Sequence, residues 1–133
     1  MEKTTVRIDL RIMGDEYDPQ KVTQKLNIQP TDTWRMGDYI RKTNLKFNYT
    51  GWLYSTGEEE TLHINTQLRK IESLFLPKTD MLCELKERYL LDFSFDIVIS
   101  ICNHKIPVIY FESPFTQLVA KLDARIDFDI YVN

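Results

Sequence analysis

At 133 residues the chain is the size of one domain and can bury roughly two thirds of its unfolded surface, so it needs no disulfide or metal to fold. A hydrophobic fraction of 43% beside a charged fraction of 28% excludes the composition of disordered chains, and no run approaches the roughly 20 apolar residues of a membrane-spanning helix. The net charge of −3 is split unevenly: nine Lys/Arg against seven Asp/Glu in residues 1–50, eight against thirteen in 51–133, a distribution that argues against a nucleic-acid partner.

The start, Met1 to Thr5, lacks the basic, apolar and small-residue regions of a secretory signal, which points to the cytoplasm. Val6, Ile8, Leu10 and Ile12 alternate with Thr5, Arg7, Asp9 and Arg11, the pattern of a half-exposed strand ending at Gly14. Asp18 and Pro19 then open a helix as N-cap and first residue, with Val22 and Leu26 facing the core and Gln29-Pro30 stopping it. Residues 31–56, the most aromatic section, read as two strands joined by a polar loop around Arg41 to Asn44.

Gly57 and the run Glu58-Glu59-Glu60 read as the opening of a helix, because carboxylates in a first turn complement the helix dipole. That helix carries Leu62, Leu68, Ile71 and Phe75 and ends before Pro77; Thr79 or Asp80 opens a second with Met81, Leu82, Leu85 and Tyr89. Leu91 to Ile101 alternates as a long strand whose outward positions include Asp92 and Asp96. After a turn at Asn103-His104, residues 106–111 read as an edge strand tolerating Pro107. Ser113-Pro114 opens a short helix, and Ile126 to Val132 closes the chain as a strand with Asp127 and Asp129 outward.

The order β-α-β-β-α-α-β-β-α-β with clean alternation predicts a single α+β domain: an antiparallel or mixed sheet, helices on one face, and two ferredoxin-like halves side by side. Strand Val6–Ile12, Gly14, Asp18-Pro19, Leu26-Asn27-Ile28-Gln29-Pro30-Thr31, Trp34, Gly37-Asp38 and Trp52-Leu53-Tyr54 resemble the bacterial family catalogued as domain of unknown function 4279. The resemblance implies bacterial origin and a compact stand-alone domain, and carries over no functional residue. Gly14 and Gly37 suit turns or close backbone approach, and Trp34 and Trp52 each call for burial with one hydrogen-bond partner.

The chemistry-bearing inventory is thin. His63 and His104 are the two histidines, and Cys83 and Cys102 read as buried free thiols. Glu59, Glu60 and His63 could share a helix face and ligate a divalent ion, although a solvated helix surface explains them sufficiently. Cys102-Asn103-His104 superficially resembles a cysteine nucleophile system, but neighbouring turn residues point in different directions, and Asn suits a turn in its own right. No phosphate loop, HExxH, CxxC or GxSxG occurs, so no cofactor, metal or catalytic residue is expected.

Two surfaces remain as candidate binding sites. One is the acidic outer face formed by Asp92, Asp96, Asp127 and Asp129, with Arg7 and Arg11 on a third strand; the ordinary reading is a cross-strand charge ladder that aids solubility. The other is an aromatic patch from Trp34, Tyr39, Trp52 and Tyr54. The composite expectation is a non-catalytic, immunity-like protein-binding domain with a basic partner; the alternative is a small-molecule sensor or hydrolase with a cleft near the aromatic segment.

Overall fold

A computed structural model describes residues 2–133; Met1, where the reading of the chain's start begins, lies outside them. Ten residues of strict alternation form β1 (Thr5–Gly14), whose inner side chains Val6, Ile8, Leu10 and Ile12 are fully buried. Helix α1 (Pro19–Leu26) begins as its residues dictate: the Asp18 carboxylate accepts from the Gln20 amide, and Asn27 ends it in the left-handed conformation. Strands β2 (Asp32–Trp34), β3 (Thr50–Ser55) and the two-residue β4 (Glu59–Glu60) follow. Helices α2 (Ile64–Phe75) and α3 (Thr79–Tyr89) are joined by a 3-10 turn, and β5 (Asp92–Ile101), α4 (Ser113–Leu122) and β6 (Arg125–Val132) complete the chain.

One mixed sheet runs in the order β2-β3-β1-β5-β6, with β4 also paired to β1. All pairings are antiparallel except β5 with β6, the parallel pair connected through α4. The helices cover one face. Val22 and Leu26 of α1, Leu68, Ile71 and Phe75 of α2, Leu82 and Leu85 of α3, and Phe115, Leu118 and Leu122 of α4 pack with the inner residues of β1, β3 and β5 into one core. This is the expected α+β architecture, and the central β1–β5 pair makes the two halves of the chain share one sheet.

Two elements differ from the sequence reading. Glu59 and Glu60 do not open a helix; they pair with Val6 and Thr5, and α2 starts only at Ile64, leaving Leu62 exposed. The acidic run supplied a plausible first turn, but a free edge of β1 beyond the end of β3 competes for the same backbone groups. Residues 106–111 form no strand either. Val108 donates to Leu62 O (2.7 Å) and accepts from Ile64 N (3.3 Å), a single bridge, and Pro107 removes the donor a ladder would need. Helix α4 is also capped differently: Glu112 occupies the N-cap with no side-chain bond, and Ser113 is already helical.

Candidate functional site

The outer face of the sheet carries no helix, and its side chains line up in rows across the strands. Ser55, Asp9, Asp96 and Asp127 are successive neighbours in one row; Leu53, Arg11, Ser94 and Arg125 fill the next. Three ion pairs connect the rows: Arg7 Nε to Asp9 Oδ1 at 3.2 Å, Arg11 Nη2 to Asp96 Oδ2 at 3.0 Å, and Arg125 Nη2 to Asp127 Oδ2 at 3.1 Å. Ser94 donates to Asp96 Oδ1 at 2.7 Å.

The face is therefore not uniformly solvated, as alternation alone predicts. Asp9, Ser94 and Asp96 are buried at its centre, beneath the arginine side chains and the neighbouring strands. Of the four predicted acidic residues, Asp96 is thus committed to an internal ion pair, whereas Asp92, Asp127 and Asp129 are exposed. Asp92 and Asp129 have no ion-pair partner among the described residues. Asp9 belongs to the group but carried no separate signal in the sequence, because each strand alone shows only that it points outward.

Strand β6 is the edge of the sheet and its most exposed long element. On its inner face Ile126 packs against the core, whereas Phe128, Ile130 and Val132 beyond it are 42, 52 and 74% exposed. Phe111 stacks obliquely on Phe128 at 6.3 Å and extends this apolar strip. On the outer face stand Asp127 and Asp129. A free strand edge thus presents an apolar side, an acidic side and unpaired backbone groups together.

The four aromatic residues do not form one patch. Trp52 is fully buried on the inner face and its indole donates to Thr23 Oγ1 at 3.0 Å; Tyr54 packs beside it on Phe75. Trp34 lies on the outer face, stacked on Phe47 at 4.8 Å and covering Gly51, where any Cβ would collide with the indole. Its Nε1 has no partner among the described residues, so of the two tryptophans only Trp52 meets the expected bond there. Tyr39 stands apart on a ribbon formed by residues 36–49.

The hollows nearest this segment, of about 410 and 610 Å³, are bordered by Glu16, Met36, Thr50, Tyr89 and Leu90 rather than by those rings. A hollow of about 500 Å³ lies at the other end of the sheet, beside Glu60, Leu62, His63, Cys102 and Lys105. His63 sits there as the residue preceding α2, so it shares no helix face with Glu59, which instead accepts from Gln67 and Lys70. Cys102 is buried, while Asn103 and His104 are exposed in the left-handed region of a tight turn, and neither hydrogen-bonds to the Cys102 thiol among the described residues. Cys83 is a half-buried free thiol that donates to Lys121 O at 3.6 Å. No set of three metal-ligating side chains converges among the described residues, and no described helix is long and apolar enough to cross a membrane.

Residues 3–133 match the family described as Domain of unknown function (DUF4279). The chain belongs to that family. No curated protein and no solved structure matches it.

Proposed function

We propose that this domain of unknown function is a non-catalytic, bacterial, cytoplasmic protein-binding module that receives a partner segment along the β6 edge. One observation carries the reading: β6 combines a free backbone edge, an exposed apolar side at Phe128, Ile130 and Val132, and an acidic side at Asp127 and Asp129. Added strands bind through main-chain hydrogen bonds and take specificity from side chains that alternate between faces. The complementary segment is an extended chain alternating basic and apolar residues, as a basic partner of an immunity-like inhibitor would present. Carboxylates on the edge repel indiscriminate strand pairing while steering a basic partner in. We read β1-α1-β2-β3 and β5-α4-β6 as the two ferredoxin-like halves, with β6 ending the second half at the edge of the sheet.

The test is fluorescence anisotropy with a labelled synthetic peptide alternating lysine and valine. Saturable binding that weakens with salt, and that falls about tenfold or more in the Asp127→Lys, Asp129→Lys variant, supports the reading. Equal binding by the variant, or by a peptide of the same composition with lysines and valines in separate blocks, overturns it. The small-molecule alternative draws on one observation, the hollow beside His63 and Cys102, which lies away from the aromatic segment.

A further inference from the structure

The basic, two-faced strand that fits β6 is present in this chain. Residues 36–49 leave the sheet after β2 and fold back as a two-stranded ribbon: Gly37 donates to Phe47 O at 2.9 Å, Phe47 to Asp38 O at 2.8 Å, and Ile40 to Leu45 O at 2.8 Å, with Tyr39 bridged to Lys46. Directly opposed residues of an antiparallel pair share a face. Tyr39 and Lys46 therefore stand on one side, with the Lys46 ammonium 5.1 Å from the centre of the Tyr39 ring, and Ile40 and Leu45 stand on the other.

Charge and exposure complete the match. Residues 35–49 contain Arg35, Arg41, Lys42 and Lys46 against Asp38 alone; residues 123–132 contain Asp123, Asp127 and Asp129 against Arg125 alone. Arg35 is held by Asp18, whereas Arg41, Lys42 and Lys46 have no carboxylate partner among the described residues. Leu45 and Tyr39 are 66 and 65% exposed, so the apolar side chains of the ribbon are open to contact on both of its faces. The ribbon follows β2 at one edge of the sheet and β6 forms the opposite edge, so one copy cannot satisfy both by simple continuation of its own sheet.

The geometry points to head-to-tail self-association: the ribbon of one copy lies along β6 of the next, Ile40 and Leu45 against Phe128 and Ile130, and Lys46 and Arg41 against Asp127 and Asp129. This inference rests on β6 being a strand-receiving edge and names a second copy of the chain as its occupant. Because the two surfaces differ, the contact is heterologous. It leaves an unused ribbon at one end and an unused β6 at the other, so association continues beyond a dimer or closes into a ring.

Sedimentation equilibrium over a concentration series at low and moderate salt tests it, with circular dichroism confirming the fold of each variant. The wild type is expected to show a concentration-dependent rise in mass that salt suppresses. Arg41→Glu with Lys46→Glu, and separately Asp127→Lys with Asp129→Lys, should each raise the dissociation constant about tenfold or more. Mixing the two variants should restore association, since each then offers the other a complementary surface. A wild type that stays monomeric, or associates unchanged after both reversals, overturns self-association. If the lysine-valine peptide still binds β6 in that case, the strand-receiving edge stands and only its occupant is wrong; if neither occurs, both fall.

Discussion

Asp9 and Asp96 stand directly opposite each other on β1 and β5, both buried, with Arg7 and Arg11 supplying one counter-charge each. Two carboxylates facing across adjacent strands destabilise a sheet unless cations stand between them. Arg11 is the more consequential cation, because it holds the Asp96 carboxylate at 3.0 Å. Removing one partner of a buried pair leaves an uncompensated charge, although the partial exposure of Arg11 moderates the loss. Arg11→Ala is expected to cost about 2 kcal/mol in urea unfolding, a discounted figure for such pairs. Adding Asp96→Asn should recover much of that cost, and a double variant no more stable than Arg11→Ala would show that lost packing, not charge, is responsible.

Trp34 sets the second expectation. Its indole rests where a side chain at residue 51 would be, so Gly51 is required by close approach and not by a positive φ. Gly51→Ala must displace the ring from its stack with Phe47 and Tyr49, at about 1–3 kcal/mol for overpacking of this kind. The fluorescence of Trp34 should shift toward that of an exposed indole, and Trp34→Ala in the same chain should abolish the penalty. A Gly51→Ala protein with wild-type stability and emission would contradict the contact.

Much of this structure was legible in the sequence because it is local. The Asp18-Pro19 opening of α1, the inner faces of β1 and β5 and the turn at Asn103-His104 follow from residues within a few positions of each other. What was illegible depends on partners far along the chain. Glu59-Glu60 reads as a helix start until β1, far earlier in the chain, offers Thr5 and Val6 as strand partners. Residues 106–111 have the apolar content of a strand but find no strand to pair with. Likewise, alternation placed Asp96 outward correctly, yet only the lateral alignment of β1, β5 and β6 reveals that it is buried beside Asp9 while Asp127 and Asp129 are not.

Glu72 gives a pH dependence whose sign is fixed. Partial burial, and then the neighbouring Glu112, raise its carboxyl above the ordinary value despite an opposing contribution from Arg69. A carboxyl that binds its proton more tightly in the folded state contributes stability below the unfolded-state pKa, and that contribution is lost as pH rises through the folded value. At neutral pH the ionised Glu72 therefore opposes folding. Glu72→Gln is expected to raise Tm near neutrality, with the gain vanishing under acid conditions where the wild-type carboxyl is already protonated. A gain of the same size at both pH values would mean that packing or helix propensity is responsible.

Leu90 provides a final expectation from backbone conformation. It ends α3 with φ 56 and ψ 58, its amide donating to Lys86 O, and its side chain is 84% exposed. The side chain thus contributes little burial, while the left-handed conformation costs an ordinary L-residue about 1–2 kcal/mol. Glycine at this position removes that strain but adds roughly 0.5–1 kcal/mol of unfolded-state entropy. The first effect exceeds the second, so Leu90→Gly should stabilise the protein by about 0.5 kcal/mol in urea titration. Leu90→Ala keeps the strain and should not stabilise. If alanine and glycine instead raise stability equally, exposed apolar surface and not backbone strain is the source of the gain.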